Sequence, residues 1–254
     1  MKRYAWFIFL LLPALSGCVT ETVGQPEMNA DRRTELARAR TALGADYYQR
    51  KQYAVALQQL ELAMQADAGY SPAYSVRALV HIALLEDKEA ESDFRRAIDL
   101  DAKNSEAHDN YGYFLCQRGR ERDGIAQYLL AAKDPLYSEQ ASAYVRAGEC
   151  GMNIGDLANS ELYFERAQIL RPDLPQVKFD LAQMSYATGD YATARARFAA
   201  FRTAVNDQLN ADQLLLGVRI EHKLGNRSAE AALAARLRAK YPASREAKSL
   251  EQIR

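Results

Sequence analysis

The sequence predicts an all-α fold: a right-handed superhelix of six helix-turn-helix repeats, closed by a short C-terminal capping helix. Two observations lead to this prediction. Small and aromatic residues recur at fixed positions of a unit of about 34 residues, a period typical of stacked helix pairs that share one continuous core. Glycine and proline are also few, at 13 and 7 of 254 residues, and the alanine-rich composition favours helix throughout.

The N-terminal residues 1–17 have the organisation of a signal peptide. A basic start, Met1-Lys2-Arg3, precedes an uncharged stretch over residues 4–12, and small or turn-forming residues follow. The uncharged stretch is far shorter than the roughly 20 residues that span a bilayer. The next residues, Leu15-Ser16-Gly17-Cys18, resemble the lipobox of bacterial lipoproteins. The resemblance implies cleavage before Cys18 and a covalent lipid on it; an ordinary signal peptide with an incidental cysteine, or a core helix, is the alternative.

Residues 18–30 are predicted to be the lipidated cysteine and a flexible tether. Gly, Pro and polar residues follow one another there without periodicity. In enteric lipoproteins an Asp directly after the cysteine marks retention in the inner membrane. This chain has Val19 instead, which favours the outer membrane, with the protein facing the periplasm.

The remaining residues, 31–254, are predicted to form the repeat domain. Its units span about residues 37–70, 71–104, 105–140, 141–174, 175–209 and 210–243, followed by the capping helix. At position 8 of each unit the chain has a glycine or alanine: Gly44, Ala78, Gly112, Gly148, Ala182 and Gly217. At position 24 it has a large apolar residue: Leu60, Phe94, Tyr128, Phe164, Phe198 and Leu233. This pattern resembles the tetratricopeptide repeat (TPR), in which small residues let two antiparallel helices approach closely.

Two of the units depart from the regular pattern. Position 20 of the third unit is Gly124 where the repeat prefers alanine, which weakens a helix by about 1 kcal/mol. The fourth unit is displaced by two residues, and the extra residues fall near Asp134 and Pro135.

The composition argues against catalysis and against nucleic-acid binding. Lys plus Arg equals Asp plus Glu at 33 each, and the charges are interspersed. His81, His108 and His222 lie in separate repeats at non-equivalent positions, without a second ligand at metal-binding spacing. A glycine-rich phosphate loop is missing too. We therefore predict a protein that is not an enzyme and has neither a metal site, a small-molecule substrate nor a cofactor apart from the lipid on Cys18.

Cys116 and Cys150 fall in the first helices of the third and fourth units, which should be neighbours in the stack. Exported thiols meet an oxidising compartment, and a disulfide needs Cα atoms within about 7 Å of each other. Nearby glycines would permit that approach. We favour a disulfide, with two unlinked buried cysteines as the alternative.

Binding is the function that such a repeat array offers. Positions 2, 5, 6, 9, 12 and 13 of each first helix line the concave groove of a TPR array, and Leu79 and Ile82 make this groove apolar. The alternative is that these side chains turn inward to the core. The predicted groove residues are Tyr48, Val76, Leu79, Ile82, Asn110, Tyr113, Arg146 and Phe179, together with Glu149, Gln183 and Tyr186.

Together, the lipobox, the tether and the six TPR units resemble the PilF/PilW lipoproteins of type IV pilus biogenesis. The segment from Asn110 to Cys116, with Cys150 one repeat later, resembles the paired cysteines in part of that family. The resemblance implies a pilotin or assembly factor whose partners are the membrane and the secretin subunit of the pilus machinery. A different envelope adaptor, serving tight-adherence pili, outer-membrane protein assembly or protease regulation, is the alternative. An envelope enzyme acting on peptidoglycan is a further class, disfavoured by the lack of a catalytic cleft.

Overall fold

The computed structural model describes residues 29–253, so the predicted signal peptide, Cys18 and nearly all of the tether lie outside the described residues. Within that range every regular element is helical. The helices are α1 (Ala30–Gln49), α2 (Tyr53–Ala66), α3 (Ser71–Ala83), α4 (Asp87–Leu100), α5 (Ser105–Gln117), α6 (Glu121–Ala131), α7 (Gln140–Asn153), α8 (Leu157–Leu170), α9 (Pro175–Ala187), α10 (Tyr191–Ala204), α11 (Ala211–Lys223), α12 (Arg227–Lys240) and α13 (Arg245–Ser249), followed by a 3₁₀ turn (Leu250–Gln252). None of them is both long and apolar enough to cross a membrane.

Consecutive helices form six pairs, from α1/α2 to α11/α12, and each first helix also contacts the first helix of the next pair. This arrangement buries the apolar faces that a single pair would leave in water. The last pair is covered by α13, and the 3₁₀ turn adds Leu250 to the same core as Leu237. The predicted all-α TPR superhelix is thereby confirmed.

The tight turns within the pairs need a residue in the left-handed backbone region. Glycine takes this place in the last four pairs, with positive φ at Gly119, Gly155, Gly189 and Gly225. In the first two pairs it is taken by Lys51 and Leu85, at φ 60° and 64°. A non-glycine residue in that region costs roughly 1 kcal/mol, so these two turns are held by the packing of the helices on either side.

The small residues at position 8 are required by the close approach of the two helices. A Cβ on Gly148 would lie 2.6 Å from the Phe164 ring, and one on Gly112 would lie 2.8 Å from the Tyr128 ring. Phe164 is completely buried and Tyr128 nearly so. The aromatic side chain of each second helix therefore fills the space that the glycine leaves.

The connection between α6 and α7, residues 132–139, is the longest between two pairs in the described chain. It contains the extra residues of the fourth unit. Gln140 at the start of α7 donates a side-chain hydrogen bond to the Ala132 carbonyl at 2.8 Å, which ties the two ends of the connection together.

Candidate protein-binding groove

The first helices of the pairs lie side by side and form the inner face of the superhelix. At two neighbouring joints along this face, the side chain at position 5 of one first helix is hydrogen-bonded to that at position 6 of the next. Asn110 donates to the Ser75 hydroxyl at 3.3 Å, and the Arg146 guanidinium donates to both Asp109 oxygens, at 3.1 and 2.6 Å. The groove surface is thus built by side chains that also join neighbouring repeats.

The groove is aromatic over repeats 1–3. We call Tyr48, Tyr53 and Tyr113 the aromatic patch. The rings of Tyr48 and Tyr53 lie 6.2 Å apart, and 46% of Tyr113 is exposed. Burial raises the pKa of Tyr48, and the proximity of Tyr53 and Tyr113 raises it further. Tyr48 and Tyr53 are half-buried, so the patch carries hydroxyl groups on a partly open apolar surface, a combination suited to a protein partner.

Leu79 and Ile82 lie partly in the groove and partly in the core. Both are half-buried and pack against the cluster that contains Phe94, Tyr111 and Phe114. They form the floor of the groove rather than a protruding strip. Charged residues at these positions would therefore disturb the core as well as the surface.

Two of the predicted groove residues belong to the core. Val76 is 9% exposed and packs with Leu60 and Val80. Phe179 is 5% exposed, with its ring centre 5.0 Å from that of Phe201. The sequence register fixes which helix a residue belongs to, but a small rotation of the helix decides whether its side chain faces the groove or the next pair.

Over repeats 3–5 the groove is charged. Asp109 is 8% exposed; burial raises its pKa, and the Arg146 guanidinium opposes this. Arg146 also lies over the Tyr128 ring, with its central carbon 5.8 Å from the ring centre. Arg146 is thus held by an acid and an aromatic face together.

Beside Arg146 lies a second acidic site, which we call the acidic recess: Asp180, Glu149 and Gln176. Gln176 Nε2 donates to Asp180 Oδ1 at 2.8 Å and lies 3.4 Å from Glu149 Oε1. Burial raises the pKa of Asp180 to about 8, and the nearby Glu149 carboxylate contributes to the rise. Asp180 was not among the predicted groove residues, although it stands at position 6 of the fifth repeat, the position that Arg146 has in the fourth.

Cys116 and Cys150 are joined by a disulfide that links α5 to α7, with Cα atoms 6.1 Å apart. The unexpected glycine at position 20 of the third unit has its explanation here. A Cβ on Gly124 would collide with the Cys116 sulfur atom and lie 2.9 Å from the Gly112 carbonyl oxygen. Gly124 therefore makes room for the disulfide on the facing helix.

The three histidines are separate, and each has a local partner. His81 Nδ1 lies 2.6 Å from Glu86, His108 Nδ1 lies 2.7 Å from Gln127, and His222 Nδ1 lies 3.1 Å from Glu230. In residues 29–253, His, Cys, Asp and Glu side chains do not gather into a group of three that could hold a metal ion.

The fold and the groove define a TPR scaffold protein that presents a binding surface on its inner face. A tetratricopeptide repeat family model matches residues 141–174, which is the fourth repeat. The type IV pilus assembly protein PilF of Pseudomonas aeruginosa is 30% identical over 246 residues, 97% of each chain. The chain belongs to the PilF family.

Solved structures agree with this assignment. The crystal structure of PilW, described as a widely conserved type IV pilus biogenesis factor, is 29% identical with a TM-score of 0.77, over 85% of this chain and 98% of PilW. The structure of Pseudomonas aeruginosa PilF is 28% identical with the same TM-score of 0.77, over 87% of this chain and 99% of that one. The TPR protein YrrB, at 14% identity, a TM-score of 0.60 and coverage of 76% and 97%, shares the fold alone.

Proposed function

We propose that the protein is an envelope adaptor of type IV pilus biogenesis. It is held at the outer membrane through a lipid on Cys18, faces the periplasm, and helps the pilus secretin to reach the membrane and multimerise. It acts by binding and not by catalysis. The single observation that carries the pilus role is the similarity to PilF, which extends over 97% of both chains.

The groove supports an adaptor role because it offers a surface of the right kind. In the aromatic patch Tyr113 is exposed and Tyr48 and Tyr53 are half-buried, whereas the large apolar side chains of the core are fully buried. Tyrosines supply a large contact area at low cost in side-chain entropy, and aromatic residues are enriched where protein interfaces bind most strongly. We assign the aromatic patch to the client protein.

The membrane attachment rests on the lipobox. Each buried methylene group of an acyl chain contributes about 0.8 kcal/mol to membrane affinity, so two or more chains anchor a protein stably. Metabolic labelling with radioactive palmitate tests this part: the wild-type protein should incorporate label and a Cys18→Ala variant should not. Equal labelling of the two proteins would place the lipid elsewhere.

Deletion of the gene in the source bacterium tests the pilus role. We expect the detergent-resistant secretin multimers in the membrane fraction to disappear and the wild-type gene to restore them. Multimers that persist undiminished in the deletion strain would show that the adaptor serves another envelope system.

The same strain tests the aromatic patch. A Tyr48→Ala/Tyr113→Ala variant should accumulate normally but fail to restore multimers, because both side chains are at least partly exposed. Leu162→Ala is the matched control, since Leu162 is a large exposed side chain on the second helix α8 (56% exposed) and away from the groove. A patch variant that restores multimers as well as this control would remove the patch from the proposal.

A further inference from the structure

Hydrogen-bonded side-chain pairs join the first helices at two consecutive joints of the inner face. Position 5 of one first helix and position 6 of the next form Ser75–Asn110 and then Asp109–Arg146. By the same register the following pair is Val145–Asp180. Val145 is 5% exposed, packs against Val177 and Leu181, and offers no hydrogen-bond donor on its side chain.

Asp180 is consequently left with an incomplete set of partners. The residue is 2% exposed, and its Oδ1 accepts from Gln176. Its Oδ2 is buried and has no hydrogen-bond partner among residues 29–253. Buried polar atoms are almost always bonded, because desolvation without a bond costs on the order of 1–3 kcal/mol. An exception such as this one needs an explanation.

A second carboxylate lies beside it, and neither forms an ion pair within residues 29–253. Burial raises the pKa of Glu149, although the Arg146 charge acts to lower it. The exposed residue Glu149 shares the Gln176 amide with Asp180. Arg146, one turn earlier on α7, is engaged by Asp109 instead. Among the described residues, no lysine or arginine forms an ion pair with Asp180 or Glu149, whereas the buried acids Asp93 and Asp109 each pair with an arginine.

We propose that the acidic recess binds the guanidinium or ammonium group of a basic side chain on a client protein. The cation would donate to Glu149 at the rim and to Oδ2 of Asp180, which is enclosed in this structure and has to turn toward the rim. Arg146 pairs with Asp109 in the same way at the preceding joint. Charge-assisted hydrogen bonds of this kind are short and strong in a partly desolvated site. Two carboxylates and an amide are too few for calcium, which takes about six to eight oxygen ligands.

The pKa of Asp180 follows from its surroundings within the chain. Burial first, and the nearby Glu149 carboxylate second, raise the pKa of Asp180 to about 8, so the carboxyl group holds its proton up to about that pH. A bound guanidinium would lower the pKa of Asp180, because an opposite charge at hydrogen-bond distance favours the ionised carboxylate. The inference rests on the proposed function only for the identity of the protein that carries the basic residue.

The test uses a pair of pentapeptides and the full-length chain in a nonionic detergent. The probes are acetyl-Ala-Ala-Arg-Ala-Ala-amide and its citrulline analogue, in which an uncharged urea replaces the guanidinium at nearly the same shape. Calorimetric titration at pH 7 should show binding of the arginine peptide, weakened about tenfold or more by citrulline, as expected for loss of a charge-assisted pair.

Two protein variants locate the binding. Asp180→Asn keeps the shape of the side chain and should weaken the arginine peptide about tenfold. Glu165→Gln, which removes an exposed acid on α8 outside the groove, should leave its affinity unchanged. Circular dichroism establishes that both variants keep the helical fold.

The proposal is overturned if the two peptides bind equally, if neither binds, or if Asp180→Asn binds the arginine peptide as well as the wild type. Each of these outcomes leaves the pilus role standing, because that role is decided separately by the secretin multimers of the deletion strain. Secretin multimers that persist in the deletion strain, together with intact arginine binding, would overturn the pilus role and leave the acidic recess standing.

Discussion

The inner face of repeats 1–3 and that of repeats 3–5 are built on the same backbone but differ in chemistry. The first presents Tyr48 and Tyr113 above a floor of Leu79 and Ile82, whereas the second presents Arg146 and a buried Asp180. The cores beneath them are alike, with a fully buried phenylalanine at position 24, Phe94 in one and Phe164 in the other. The TPR scaffold thus fixes the packing positions and leaves the groove positions free to vary, so that one array offers two different surfaces.

Truncating the two core phenylalanines should destabilise the protein most and should not distinguish the two regions. Phe94→Ala and Phe164→Ala each remove a completely buried ring, so we expect each to lower the free energy of unfolding by about 3–5 kcal/mol. Chemical denaturation measures both. A loss of stability in only one of the two variants would show that the cores of the two regions differ as well as their surfaces.

Asp180→Asn should stabilise the protein in a way that depends on pH. The native state holds the Asp180 proton up to a pH of about 8, whereas an unfolded chain releases it near pH 4, so this group lowers stability progressively as the pH rises between those values. Asparagine does not titrate. We expect the variant to exceed the wild type by roughly 4–5 kcal/mol at pH 8 and to match it near pH 4.

Denaturation curves at the two pH values measure the difference. A constant gap between the two proteins would contradict the raised pKa. A wild type that is more stable than the variant at pH 8 would also contradict the raised pKa of Asp180.

The disulfide lies at the border between the two regions, and its removal should cost about 4 kcal/mol, the chain-entropy contribution of a loop of this size. The two cysteines are 34 residues apart, and Cys150 is 3% exposed. A Cys116→Ala/Cys150→Ala variant, compared with the wild type under non-reducing conditions, gives the value by denaturation. Two free thiols in material isolated from the periplasm, detected by mass spectrometry, would show that the bond is not formed there.

Arg146→Ala should have the smallest effect of the four, about 2 kcal/mol, because the Arg146 side chain is partly exposed while Asp109 is left buried without its partner. The loss should shrink as the pH falls toward 4, since Asp109 then becomes neutral. Arg146→Lys is the control: it keeps the charge but not the two parallel hydrogen bonds, and it should lose less. Equal losses in the two variants would show that the bidentate geometry matters more than the charge.

The sequence predicted the groove less well than the fold, for a physical reason. Position 6 is occupied by Val76, Asn110, Arg146 and Asp180 in successive repeats. Val76 is buried in the core, Asn110 and Arg146 reach the preceding helix, and Asp180 meets an apolar neighbour. The residue type at one position does not reveal these differences, since each depends on the partner that the neighbouring repeat supplies.

By itself, the sequence determined the all-helical class, the repeat and the position of the packing residues. These depend on a local period, because a glycine or alanine opposite an aromatic residue dictates how one pair of helices packs, and the same rule repeats along the chain. The tertiary structure decided which side chains face the groove, that Gly124 makes room for the Cys116–Cys150 disulfide, and that Asp180 is buried with one oxygen unpartnered. Those features arise where two repeats meet, and only the rotation and spacing of neighbouring helices specify them.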